Sequence, residues 1–346
     1  MSVSMNELCH FRVFRGRSKV GEEAEIVYVG VKEGLIYIAP FIDECYFEWS
    51  AVVRQGTFDW RALECFLKGV EGEVLILMAS VALIEQFSEQ GDVVGVSRIH
   101  QVVDVSGGWD YIKSQLSRRE AKRREQCVAQ GFHYGISYED CDFYEFYRSM
   151  HVPTMKRRYG TLARSVEEKE AYVSLFKRGL LFRVYKDHEW VAGSVSQIDE
   201  SGRTLNARLI GVKNGSSVYR SDGSQNFTYH SIIEWAASRS DIDCVDFQGC
   251  EPFLTKGTFQ YKKRFGTRAV IPDNDFGNLR LLIRVKVLSL SARCFLINNP
   301  LLIVGEFGAL KALYFFDEGN NARVDIPFAS KGIEEAVFLD LDLLHD

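Results

Sequence analysis

From Leu180 onward the apolar residues fall at every second position. Leu180–Tyr185, Trp190–Ile198 and Thr204–Val212 alternate, and the segments between them, Lys186-Asp187-His188-Glu189, Asp199-Glu200-Ser201-Gly202 and Lys213-Asn214-Gly215, carry turn-forming residues. Period two between turns predicts an antiparallel meander. The period then lengthens: over 226–240 Ile232, Ile233, Trp235 and Ala236 recur with helical spacing, and Cys244–Phe247 reads as a short buried strand. Upstream, Trp109 to Gln130 lacks Gly and Pro and is rich in Arg, Lys, Glu and Gln, which predicts a helix closed by Gly131. Phe132–Tyr138 follows as a strand, Asp140 caps a helix to about Met150 that breaks near Pro153, and Val166–Arg178 is a helix stopped by Gly179.

The N-terminal third repeats this order more faintly. Strands are expected around Ala24–Val29 and Leu35–Ile38, then helix Trp60–Lys68, strand Glu73–Met78, helix Val81–Glu89 and strand His100–Val105. Near the C-terminus, Leu281–Leu296 and Leu301–Phe316 are apolar but interrupted by Arg284, Lys286, Arg293, Glu306 and Lys311. A spanning helix needs about 20 mostly apolar residues, so these read as amphipathic helices packed on the protein, and no transmembrane segment is expected.

Strands alternating with helices over 346 residues, 46% of them hydrophobic, make an α/β protein large enough for two domains. A net charge of −5 argues against a surface coated for nucleic acid; DNA is not an expected partner, and any RNA contact is confined to one face. The eight cysteines, at 9, 45, 65, 127, 141, 244, 250 and 294, form no CxxC pair, which fits reduced thiols in a cytoplasmic protein. Met1–Arg17 has no apolar core of a signal peptide. Cys244 and Cys250 have no paired histidines, so no metal is expected.

The densest chemistry lies at Gly249–Gly266, directly after Cys244-Val245-Asp246-Phe247. Lys262, Lys263 and Arg264 form a cationic run between Tyr261 and Phe265, with Gly257 just before it. Loops at strand ends are where chemistry concentrates, and this one reads as an anion-binding edge. The spacing Gly257, then Tyr261-Lys262-Lys263-Arg264-Phe265-Gly266, resembles the glycine, spacer, aromatic-Lys-x-x-Phe-Gly signature of Fem-type proteins. Leu116-Ser117-Arg118-Arg119 through Gly131, Phe146-Tyr147, Pro153-Thr154 and Lys156-Arg157-Arg158-Tyr159-Gly160 follow in that family's order.

Over roughly residues 108–272 the chain thus resembles the FemAB-like branch of the GNAT acyltransferase superfamily, which holds the aminoacyl-tRNA-dependent Fem-type transferases and the BioF2-like acetyltransferase domains. The resemblance implies a tandem GNAT-like fold with mixed central sheets flanked by helices. It divides the chain into a first half at 1–138, a second at 139–272 bearing the donor and acceptor site, and a helical appendage at 273–346. It implies transfer of an acyl or aminoacyl group to an amine-bearing small molecule or peptide, bound between the halves near 249–266, with acyl-CoA or aminoacyl-tRNA as co-substrate and no permanently bound cofactor. No Gly-x-Ser-x-Gly elbow occurs, so direct transfer is expected rather than an acyl-enzyme. A catalytically silent GNAT-fold binding module in envelope or polysaccharide assembly is the alternative.

By the same resemblance Lys262 lies near the aminoacyl or phosphate end of the donor, where an ammonium stabilises developing negative charge. Arg220-Ser221-Asp222-Gly223-Ser224-Gln225 is similar to a pyrophosphate loop, with Gln225 and Asp222 departing from it. Arg220 and Gly223 are therefore candidate substrate contacts, as are Tyr229, Gly257, Tyr261 and Phe265. Asp246 and Glu251 are candidate bases for the amine, beside His230 and Tyr229. Arg118, Arg119, Lys122, Arg123 and Arg124 lie at i, i+4 spacings on one helix; Arg119, Lys122 and Arg123 are the candidate tRNA contacts.

Overall fold

In the computed structural model, residues 8–160 and 165–344 are described, without the side chains of Tyr159 and Phe307. Residues 1–7 of the N-terminal stretch read above lie outside them. The chain is a mixed α/β protein with two compact units, 1–99 with 249–260 and 269–346, and 100–248 with 261–268.

The elements run β1 (Cys9–Ser18), β2 (Glu23–Gly30), α1 (Lys32–Tyr37), α2 (Ala39–Tyr46), β3 (Phe47–Phe58), α3 (Leu63–Gly69), β4 (Val74–Ser80), α4 (Val81–Phe87) and β5 (Val93–Val96). Next come β6 (Ile99–Asp104), α5 (Gly108–Gln115), α6 (Arg118–Ala129), β7 (Phe132–Ser137), α7 (Asp140–Phe146), a π-helical turn at Tyr147–His151, α8 (Val152–Tyr159) and α9 (Glu168–Glu170). The meander β8 (Gly179–Lys186), β9 (Glu189–Ile198) and β10 (Thr204–Val212) leads to α10 (Ser217–Ser221), α11 (Ser224–Ala237), β11 (Cys244–Cys250), α12 (Gly257–Lys262) and β12 (Arg268–Val270). β13 (Leu279–Val285), α13 (Leu290–Asn298), β14 (Leu301–Val304), β15 (Leu310–Phe316) and β16 (Ile333–Asp340) complete the chain.

The first unit holds a sheet of nine strands among the described residues, ordered β16-β15-β14-β5-β13-β4-β2-β1-β3. β4 and β2 are its parallel centre, and Ile26, Ile76, Leu77, Leu282 and Ile283 are wholly buried there. The second unit's sheet runs β12-β6-β11-β10-β9-β8-β7. Its core packs Phe182, Ile232, Ile233, Val245 and Phe265 between sheet and α11.

The meander, α11 and β11 form as the periodicity predicts. Elsewhere the structure corrects it. Leu35–Ile38 is not a strand: it falls in and just after α1. The single helix over 109–130 is two, because Ser117 leaves helical geometry and its hydroxyl accepts from Glu120 N at 3.2 Å, capping α6. Pro153 does not end a helix; it sits in the first turn of α8, where its missing N–H costs nothing. Of the two C-terminal apolar runs, the first is strand β13 followed by helix α13, and the second is strands β14 and β15 rather than a helix. β13 pairs along both edges with β4 and β5, and Leu281 and Ile283 pack into one core while Leu282 packs into another, so both faces are buried and the run is apolar without alternation, a pattern that periodicity does not separate from a helix. The 273–346 stretch is accordingly no helical appendage, since it supplies β13–β16 to the first unit's sheet.

Candidate functional site

β10 and β11 are parallel but pair over only three residues, Thr204–Asn206 against Cys244–Asp246. Beyond Asp246, still within β11, Gln248 has a φ of 65°, left-handed for a residue with a side chain. Such a conformation costs roughly 1–3 kcal/mol and persists only where neighbours over-determine it. They do so at every polar group. Gln248 N donates to Asp246 Oδ1 at 2.6 Å, its Nε2 donates to Asn206 Oδ1 at 2.9 Å, its Oε1 accepts from Arg208 at 2.9 Å, and its carbonyl accepts from Lys262 Nζ at 2.9 Å.

Asp246 uses its second oxygen on a neighbouring strand: Oδ2 lies 2.6 Å from His100 Nδ1 on β6. A carboxylate there fixes the tautomer with the proton on Nδ1 and leaves Nε2 as the basic nitrogen. His100 Nε2 makes no hydrogen bond among the described residues, and the ring retains 12% of its side-chain exposure. Lys262, Gln248, Asp246 and His100 thus form one continuous chain of contacts within the second unit.

Lys262 does not lie in an open loop at a strand end, as 249–266 reads from the sequence. It ends helix α12 and is 5% exposed. Lys263 opens the following 3-10 turn, where burial and the adjacent Arg264 hold its amine below the usual lysine range. Glu251 belongs to the first unit and faces Lys256 at 3.6 Å. Gly257 opens α12 with empty space where a Cβ would stand, so nothing in its own neighbourhood demands a glycine.

Tyr229, Tyr261 and Phe265 pack into one aromatic cluster with Phe247, at centroid distances of 4.6–5.6 Å. Phe265 is fully buried, a core residue rather than a platform for stacking. The Tyr261 hydroxyl is buried without a hydrogen-bond partner among the described residues, and burial pushes its pKa well above the ordinary value.

The loop before α11 is closed to an anion by its own residues. Asp222 Oδ1 accepts from Ser224 N at 3.0 Å and from Ser224 Oγ at 2.7 Å, so a carboxylate already takes a donor at the helix start, while Oδ2 faces Lys186 at 3.4 Å. Gly223 is left-handed (φ 113°), and a Cβ there would lie 2.6 Å from Cys127 Sγ, so packing accounts for this glycine. The Arg220 Nε is buried without a hydrogen-bond partner among the described residues. A cavity of about 430 Å³ beside the loop is lined by Arg123, Gln126, Cys127, Gln130, Lys186, Ser221 and Asp222.

On α6 the cations divide. Arg123 donates to Ser221 O at 2.8 Å, and Arg124 reaches Glu234 at 2.6 Å and covers Trp109. Arg118, Arg119 and Lys122 remain exposed. Sequence reasoning missed the group on the opposite face. Glu120 is 1% exposed, accepting from Asn226 at 2.7 Å and facing His230 Nε2 at 3.1 Å. Burial raises the Glu120 pKa, but the bonds from His230 and Asn226 outweigh it and the carboxyl lies below its usual range. Burial likewise holds His230 below the ordinary histidine range, so a neutral imidazole faces an ionised carboxylate. His230 is therefore spent on Glu120 rather than poised as a base. His100, Asn206, Arg208 and Gln248 were also missed; one polar position within an alternating strand carries no signal of a partner 146 residues away.

No protein-family model matches the sequence, and no curated protein matches it. Among solved structures the chain is similar to FemX (12% identity over 75% of this chain and 80% of that one, TM-score 0.42), to L-PGS from Bacillus licheniformis (10%, 81% and 86%, 0.38) and to a GCN5-related N-acetyltransferase from Sphaerobacter thermophilus (11%, 79% and 79%, 0.35). With identities near a tenth and these TM-scores, none of the three assigns a substrate or a residue's role to this chain.

Proposed function

We propose that this protein is an N-acyltransferase that moves an acyl or aminoacyl group directly onto an amine, with His100 as the proton acceptor. The observation that carries the reading is the His100–Asp246 contact at 2.6 Å, beside a strained Gln248 whose carbonyl is held by Lys262. An amine attacking the donor's ester or thioester carbonyl must lose a proton, and an imidazole oriented through Nδ1 takes it on Nε2 and returns it to the ribose oxygen or thiolate that leaves as the donor's acyl bond breaks. Asp246, a candidate base by sequence, becomes the positioning residue. Lys262 supplies a nearby positive charge for the carbonyl oxygen as it becomes negative.

Two features favour aminoacyl-tRNA over acyl-CoA as donor. Asp222 occupies the start of α11, where a pyrophosphate would need free N–H groups. The backbone of β10 beyond its pairing with β11 is also taken: His151 Nδ1 lies 3.0 Å from Ile210 O, and Val212 N donates to Thr154 Oγ1 at 2.9 Å. An extended donor arm could not pair with Ile210 O or Val212 N while these bonds stand. Exposed Arg118, Arg119 and Lys122 offer a polyanion what the loop does not.

The test is a transfer assay with aminoacyl-tRNA and with acyl-CoA over a panel of amines. His100→Ala is expected to lower turnover by about 10²- to 10⁴-fold with the fold intact. Asp246→Asn should lower it too. Full activity in His100→Ala would remove the base, and no transfer with either donor would favour the silent binding module.

A further inference from the structure

The ladder between β9 and β10 carries one extra residue. Ala207 lies opposite Ser196 and Leu209 opposite Val195, so Arg208 has no counterpart on β9. The bulge reverses the alternation: Leu205 packs with Phe182 and Ile232 on the α11 side of the sheet, whereas Leu209 packs with Phe143 and Phe146 on the other. Bulges re-aim a side chain and recur beside active sites. The side chain re-aimed here is an exposed guanidinium. Arg208 spends Nη1 on Gln248 Oε1 at 2.9 Å, and its other edge, Nε and Nη2, meets no carboxylate among the described residues. Arg203, just before the same strand, is by contrast held by both oxygens of Asp243. The Gln248 amide also donates to Asn206 Oδ1, and the Asn206 Nδ2 hydrogens have no acceptor among the described residues. Asn206 stands in register with Asp246, and Asp246 holds His100, so these three share one face across β10, β11 and β6, with Gln248 tying Arg208 to it. All five residues belong to the second unit.

We infer that Arg208 and Asn206 bind a carboxylate carried by the acceptor, so that the amine presented to His100 belongs to a short peptide with a free acid. This deepens the acyltransferase reading and rests on its placing of the proton acceptor at His100. A guanidinium with one edge free takes a carboxylate through two parallel bonds, and the Asn206 amide adds a donor beside it. Gln248 holds both groups from one side chain, which gives its left-handed backbone a use: it fixes the anion-binding donors relative to Asp246 and His100. The separation selects the length of the ligand. β6 and β10 are two strand spacings apart, about 10 Å, and an extended chain covers roughly 3.3–3.6 Å per residue. A tripeptide spans that distance from amine to carboxylate, and a single α-amino acid does not.

Calorimetric titration of the whole chain with trialanine and with trialanine amide, without any acyl donor, tests this, with circular dichroism to verify each variant's fold. The unmodified protein should bind the free acid about tenfold more tightly than the amide. Arg208→Gln should bring the acid down to the amide's affinity and leave the amide nearly unchanged, and His100→Ala should keep the preference. Equal affinity of the unmodified protein for the two peptides, no binding of either, a preference that survives in folded Arg208→Gln, or an equal loss for both peptides in that variant would each overturn the inference. A preference that depends on Arg208, with no transfer to trialanine from either donor, would support the carboxylate site and remove the acyltransferase reading.

Discussion

Gln248 is held left-handed by four hydrogen bonds, and Lys262 makes one of them. Replacing Lys262 by Ala therefore removes a charge beside His100–Asp246 and leaves a carbonyl without its donor. We expect Lys262→Ala to lower transfer by about 10²-fold, since one preorganised charge-stabilising donor is worth roughly 2.7–4 kcal/mol. Lys262→Arg should recover part of the loss, and turnover unchanged in Lys262→Ala would take the residue out of the site. A second prediction concerns two buried imidazoles. Burial holds both His151 and His230 below the ordinary histidine range, so the native state keeps them neutral. The unfolded chain takes up protons on them below about pH 6.5 and the native state does not. Their contribution to stability is thus present above that pH and is lost as pH falls toward their native pKa values. Urea midpoints should drop between about pH 7 and pH 5.5, and less so in a His151→Asn, His230→Asn double variant; a midpoint rising on acidification would mean that these imidazoles are charged in the fold.

At the scale of elements, the π-helical turn and α8 are pressed onto β10. A Cβ at Gly211 would lie 2.6 Å from the backbone of Met150 and His151, and flexible side chains are not what it meets. Gly211→Ala should destabilise the protein by about 1–3 kcal/mol, read as a lower thermal midpoint, and displace Thr154 from Val212. A variant as stable as the parent would show that this contact is loose. The meander and α11 were legible because each element has one buried face and a simple period. β13, buried on both sides, was not legible for the converse reason, and neither was the division of 109–130, where one serine hydroxyl decided the boundary.

For the whole molecule, the net charge of −5 coexists with a cationic helix face. If that face holds tRNA, affinity should fall linearly with log salt at a slope of roughly −0.7 to −0.9 per phosphate neutralised. Replacing Arg118, Arg119 and Lys122 together by Ala should reduce that slope while leaving the fold unchanged. A salt-insensitive complex, or CoA binding that persists at high salt, would reverse the order of donors. Among the described residues no helix is long and apolar enough to cross a membrane.

The sequence by itself determined the α/β class, the meander–helix–strand order of the second unit, and Lys262 and Asp246 as residues of interest. It could do so because periodicity and local composition are properties of neighbours along the chain. Only the tertiary structure decided that Lys262 ends a helix and holds the carbonyl of Gln248, that Asp246 orients His100, that Glu120 claims His230, and that the C-terminal stretch returns to the first unit's sheet. Each of those depends on a partner brought from a distant part of the chain. A hydrogen bond between residues 100 and 246 leaves no periodic trace at either.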